Sequence, residues 1–161
     1  MKSITFFTTT LLNGLSAGFF FAWSVSVILG TKKVSDFTYL ETMQNINKEI
    51  LNPLFFLIFF GSLATLMLNT ALQFNNKLVF WLLLSSTMIY LLGTFGVTAL
   101  GNVPLNNELE ALNISQLNTL ELKNFRTYYE GHWNMYHNIR TLSTMISFIL
   151  LLISIFIQKI F

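Results

Sequence analysis

Apolar positions in this chain run on rather than alternate, and charge is confined to a few places. No charged residue lies between Lys2 and Lys32, Glu49 and Lys77, Lys77 and Glu108, or Arg140 and Lys159, which leaves uncharged stretches of 29, 27, 30 and 18 residues. A helix crossing the hydrocarbon core of a bilayer needs about 20 mainly apolar residues, with ~17 as the lower limit. The pattern therefore predicts an all-α, four-transmembrane-helix up-down bundle in one domain, with spans at about 4–29, 53–72, 78–101 and 134–158. A spanning β-barrel needs apolar and polar residues in turn, and the run from Leu54 to Phe60 has no such period. A soluble bundle would have to hide four helices that are apolar on every face, for which a small protein has too little interior.

The segments between the spans are amphipathic. Ser35 is placed to cap a helix over about 35–50, in which Phe37, Leu40, Met43, Ile46 and Ile50 form a stripe clear of Asp36, Glu41, Lys48 and Glu49. Such a helix suits the membrane surface. Asn52-Pro53 opens the second span, because proline is tolerated in a first helical turn. The stretch from Gly101 to Asn107, with Pro104 inside it, should end the third span. A second amphipathic segment covers about 115–130, and Gly131 either breaks it from the fourth span or lies within one long helix.

Four alternating spans put both long loops on one face of the membrane. All seven acidic residues, both histidines and six of the nine basic residues fall on that face. Counting Lys and Arg assigns it to the cytoplasm, while Lys2 beside the first span counts the other way. In a bacterium the membrane would be the inner one.

Composition narrows the chemistry. Hydrophobic residues make up 53% and charged residues 10%, against about 25% charged in an average soluble domain. There is no cysteine, so disulfides, iron–sulfur clusters and thiolate metal sites are excluded. A net charge of +2, thinly spread, gives no nucleic-acid surface. The apolar run after Lys2 is too long for a signal-peptide core and has no A-x-A site. Apart from Tyr90, the spans carry no ionisable side chain, which argues against ion or proton traffic through the midplane. His132 and His137 are five residues apart and so do not share a helical face as paired metal ligands would; no metal or cofactor is expected. Gly14, Gly18, Ala22, Ser26 and Gly30 recur every four residues in the first span, a small-residue face that serves packing within the bundle or docking of a second copy or a partner subunit.

Four motifs occur in order: the run from Gly14 to Ala22, Met43 to Asn47 ahead of Asn52-Pro53, Gly101 to Asn106, and Trp133 ahead of His137-Asn-Ile-Arg140-Thr141. Together they resemble the small four-helix membrane proteins of the anthrone oxygenase family, over nearly the whole chain. The resemblance implies oxidation of a lipophilic phenolic or ketone substrate by dioxygen without a cofactor. Such a reaction needs a base, contacts for a developing oxyanion and an apolar pocket.

On that reading His137 is the candidate base, placed in the first turn of the fourth span. Arg140, one turn further on, is the candidate contact for an anionic oxygen. Asn102 joins them as a neutral hydrogen-bonding group. Asn47, Asn52, Asn106 and Trp133 are candidate substrate contacts. Each also has an ordinary role: an interfacial histidine bonded to a loop carbonyl, an arginine anchored to lipid phosphate, asparagines that cap helices and form turns, and a tryptophan of the interfacial belt. If only those roles apply, the chain is a non-enzymatic membrane subunit or scaffold whose partners are lipid and other subunits.

Overall fold

The computed structural model describes residues 2–160, with side chains from Ser3 to Gln158. The side chain of Lys2, which entered the topology count, lies outside that range. Four helices are long and apolar enough to cross a membrane: α1 (Ser3–Thr31), α3 (Pro53–Leu72), α4 (Lys77–Glu110) and a last one over Thr119–Gln158. Between α1 and α3 lies α2 (Asp36–Glu49), and the last helix, α5, runs over Thr119–Ile160. Each long helix packs against its neighbours in the chain, and α5 closes the ring against α1. The chain is a multi-pass integral membrane protein.

The bundle is inverted relative to a soluble one. On α5, Met135, Ile139, Leu142, Ile146, Ile149, Ile153 and Phe156 are exposed, while Trp133, His137, Arg140, Thr144, Ser147 and Ser154 are buried. The helices gain little from burying apolar surface, since lipid tails are equally apolar; van der Waals packing and interhelical hydrogen bonds hold them. Hydroxyl pairs bridge them along the middle: Ser86 with Ser147 at 2.9 Å, Thr70 with Thr87 at 2.9 Å, Thr94 with Thr144 at 2.8 Å and Ser16 with Tyr90 at 3.0 Å. Far from the loops, Asn69 bonds Thr9. The Asn13 and Asn69 amide oxygens remain without a partner there.

The helices depart from the expected boundaries in two places. Gly101 to Asn107 does not terminate α4, which continues to Glu110. The turn before Pro104 is π-helical, over Thr98–Asn102, and Val103 N–H bonds the Thr98 carbonyl five residues back. A π turn leaves a carbonyl without its usual donor, so a proline that has no N–H is accommodated there. Two more π turns lie over Trp23–Val27 in α1 and Tyr90–Gly96 in α4.

The segment 115–130 is not a separate surface helix. After a 3₁₀ turn at Ile114–Gln116, α5 starts at Thr119 and passes unbroken through Gly131. Asn118 Oδ1 accepts from the N–H groups of Leu120 and Glu121, and Glu121 accepts from Asn118 N–H. This reciprocal cap satisfies the first orphan donors of the helix. At 1.5 Å per residue α5 is about 63 Å long, roughly twice the hydrocarbon thickness.

The first turns of α5 hold α2 over the loop end of the bundle. Tyr39, Leu40 and Met43 pack with Leu105, Leu109, Ile114, Tyr129 and Trp133. The apolar stripe of α2 is therefore spent on protein. Arg126 fastens it, bonding Asp36 and Glu130 at 3.0 Å each and the carbonyls of Val34 and Thr31 at 2.8 and 3.2 Å, with its guanidinium over the Tyr39 ring. Burial, reinforced by the nearby Glu130 and Tyr129, pushes the Tyr39 phenol well above its ordinary range, so it stays neutral under this clasp.

On the small-residue face of α1, Gly14 meets the Phe148 ring at 3.4 Å, while Gly18 and Gly30 have nothing near them. Gly18, Ala22 and Ser26 are exposed.

Candidate functional site

Beneath α2, α5 turns a polar and aromatic stripe inward: Trp133, His137, Arg140 and Thr141, all buried. Their spacing of four, three and one keeps them on one side of the helix. His137 is eighteen residues from the start of α5, so the helix-dipole argument tied to a first turn does not apply to it. Its environment comes from neighbouring side chains instead.

Those neighbours define its hydrogen bonds. Arg140 Nε and Nη2 lie 3.3 and 3.2 Å from His137 Nδ1. A guanidinium only donates, so Nδ1 must be an acceptor and the imidazole is neutral with its proton on Nε2. Nε2 lies 2.9 Å from Ser24 Oγ and 3.2 Å from Thr141 Oγ1. Both hydroxyls donate elsewhere, Ser24 to the Phe20 carbonyl and Thr141 to the His137 carbonyl, which leaves them to accept from Nε2. In this arrangement His137 donates toward Ser24, so the pair is not a hydrolytic nucleophile and base.

Arg140 is the unusual group. Its guanidinium sits between the Phe20 and Trp133 rings, 4.7 and 4.9 Å from their centroids. The residue is 8% exposed, and among the described residues no carboxylate pairs with it. Two aromatic faces and a neutral imidazole compensate a buried cation only in part. Trp133 in turn stacks on His137, centroids 5.2 Å apart and planes 8° from parallel.

The asparagines divide by what they bond. Asn102 Nδ2 donates to the Trp133 carbonyl at 3.1 Å, and its buried Oδ1 has no partner. Since the Trp133 carbonyl can only accept, the amide cannot be turned round, and the unused atom is an acceptor. Asn106 Oδ1 accepts from Trp133 Nε1 at 2.9 Å and from Tyr129 Oη at 3.0 Å, and Asn47 donates to the same Tyr129 oxygen at 3.3 Å. Asn52 caps α3: Oδ1 accepts from Phe55 N–H at 3.0 Å and Nδ2 donates to the Glu49 carbonyl at 2.7 Å.

A cavity of about 380 Å³ gathers these groups. Asn47, Asn102, Asn106, Trp133, His137 and Arg140 line it, and Phe19, Phe20, Trp23, Ile46 and Phe55 supply apolar wall. That size is usual for a small-molecule site. Lys48 and Glu110, paired at 3.0 Å, stand at the aqueous rim. Of the seven residues singled out from sequence, six share this cavity; Asn52 borders a neighbouring one. Phe20, Trp23 and Ser24 were not anticipated. Their signal was the other side of α1, where Thr9, Asn13, Ser16, Phe20 and Ser24 recur at spacings of three and four. Polar residues at helical spacing in a span mark the face turned to protein.

Compared with known proteins, residues 42–150 match a family model described as anthrone oxygenase. That stretch holds every candidate residue of α2 to α5 and leaves out α1. No curated protein and no solved structure matches the chain.

Proposed function

The chain belongs to the anthrone oxygenase family, and from that premise we propose that it oxidises a lipophilic phenolic or ketone substrate with dioxygen, using the cavity under α2. The observation that carries the reading is Arg140: a buried guanidinium without a carboxylate, facing a cavity, suits an oxygen that becomes anionic.

The chemistry follows from the groups present. The substrate's ketone oxygen draws the Arg140 guanidinium toward it. This frees His137 Nδ1, which takes the proton from the acidic carbon while Ser24 and Thr141 hold the Nε2 proton in place. The resulting enolate bears its charge on the oxygen at Arg140. It gives one electron to dioxygen, the radical pair combines into a carbon-bound peroxide, and loss of water leaves the second carbonyl of the quinone. One dioxygen is consumed and one water released per ketone oxidised. Asn102 Oδ1 accepts from a substrate hydroxyl, and Trp133 and Phe20 flank a flat ring. The apolar walls keep water from the carbanion.

The test is oxygen uptake by purified protein given a hydroxylated anthrone, read above the spontaneous rate. The reading expects one dioxygen per anthrone and a loss of about a hundredfold in Arg140→Gln, comparable to removing one oxyanion donor elsewhere. No uptake above background, or an Arg140→Gln variant as active as wild type, would overturn it.

The exposed Gly18–Ala22–Ser26 edge of α1 favours a second reading, a non-enzymatic subunit docked through that face. Native mass in mild detergent separates the two: a stoichiometric partner lost on Gly18→Leu, with no oxygen uptake, supports the subunit.

A further inference from the structure

A second cavity, of about 160 Å³, lies beside the first between α1 and α3. An engineered apolar cavity of ~150 Å³ takes up one benzene. Four residues, Phe19, Phe20, Ile50 and Phe55, wall both spaces. What divides them is therefore side chain. The Phe19 and Phe55 rings sit 5.8 Å apart at 49°, with Phe19 39% exposed toward the membrane.

The two spaces differ in chemistry. In the first, Asn102 Oδ1 is unpartnered and Arg140 has no carboxylate. In the second, the polar residues are spent: Ser16 bonds Tyr90, and both ends of the Asn52 amide are bonded. The rest of its wall is hydrocarbon, from Leu54, Ile58, Phe59 and the shared residues. Together they complement an amphiphile.

We propose that the second cavity is a tail subsite: the ligand carries a hydrocarbon chain that lies between α1 and α3 while its oxygenated head occupies the site at Arg140. The ligand then enters sideways from the bilayer, Phe19 and Phe55 parting as the head passes. This rests on the reading of the first cavity as a site for a phenolic or enolic oxygen.

Binding in lipid nanodiscs tests it. Trp81 is exposed and its replacement, Trp81→Phe, leaves Trp23 and Trp133, both in the first cavity, as reporters. 4-Nitrophenol, which absorbs where tryptophan emits, is compared with its 2-octyl derivative at equal mole fraction in the lipid. In the Trp81→Phe background both should quench with affinities within about threefold, since the chain leaves lipid for an equally apolar cleft. Adding Ile58→Phe, which fills the cleft, should weaken the octyl compound about tenfold or more and leave 4-nitrophenol unchanged, as a hydrocarbon pocket rejects what it has no room for. Ile58→Ala, which widens the cleft, should keep the octyl affinity and so guards against a misfolded Ile58→Phe. An octyl compound rejected before any cleft change, or an Ile58→Phe variant that shifts both ligands equally or neither, would overturn the tail subsite and leave the head site standing. Absence of quenching by 4-nitrophenol itself would overturn both.

Discussion

Arg126 and Arg140 are fourteen residues apart on the same helix, a spacing that returns nearly to the same side, yet they are treated oppositely. At the clasp, Arg126 is met by two carboxylates and two carbonyls, and its role ends in holding α2 down. In the cavity, Arg140 is met by two aromatic faces and one imidazole nitrogen. A guanidinium with its charge answered is a fastener. One buried without an anion costs stability and is expected where a ligand supplies the anion.

Paired substitutions break or sharpen this contrast. The largest effect is expected from Arg140→Met: oxygen uptake with an anthrone should fall at least about a hundredfold, while thermal unfolding in detergent should show no loss, or a gain of up to a few kcal/mol, because an isosteric apolar chain relieves a buried charge. Should stability fall as far as activity, Arg140 is structural like its counterpart. Arg126→Met should do the reverse, losing about 2–3 kcal/mol of stability by stranding Asp36 and Glu130, with the chemical step in folded protein changed less than about threefold; single-turnover kinetics beside the unfolding curve would check this.

Asn102→Leu should lower uptake by about tenfold by removing an acceptor for a substrate hydroxyl, an effect of ~1.4 kcal/mol. The loss should vanish for a substrate without that hydroxyl. Smallest of all, Ser86→Ala should cost about 0.6 kcal/mol, the average for interhelical hydrogen bonds in membranes, and leave uptake unaltered. A clear rate effect there would mean the hydroxyl pairs are coupled to the site rather than only holding helices together.

The spans were legible because charge is so expensive in hydrocarbon that its gaps mark them. The gathering of Asn47, Asn102, Asn106, Trp133, His137 and Arg140 in one cavity was legible for a related reason, since alternating spans bring those segments to one end. What sequence hid was the state of each group. Nothing in the spacing of His137 and Arg140 says that Nδ1 accepts from the guanidinium, or that Asn102 keeps an oxygen and not an N–H free. Those facts depend on carbonyls and hydroxyls from α1 and α5 that meet only in three dimensions. The start of α5 was misplaced because the Asn118–Glu121 cap was read as part of a surface segment, and α4 was ended early because Pro104 was judged without the π turn that accommodates it. On α1 the glycine pattern drew attention to the exposed side, while Ser16, Phe20 and Ser24 on the other side carry the packing.

The π turn at Thr98–Asn102 makes the site depend on the count of residues as much as on their kinds. A helix with one residue removed there can rewind into regular α geometry without a break, but everything beyond the deletion turns by about 100°. Asn102 would then face away from the Trp133 carbonyl, and Asn106 would lose Tyr129 and the indole with it. Helices that differ by a single insertion at this point could present the same side chains and still have no pocket, so chain length here acts as a positional signal of its own.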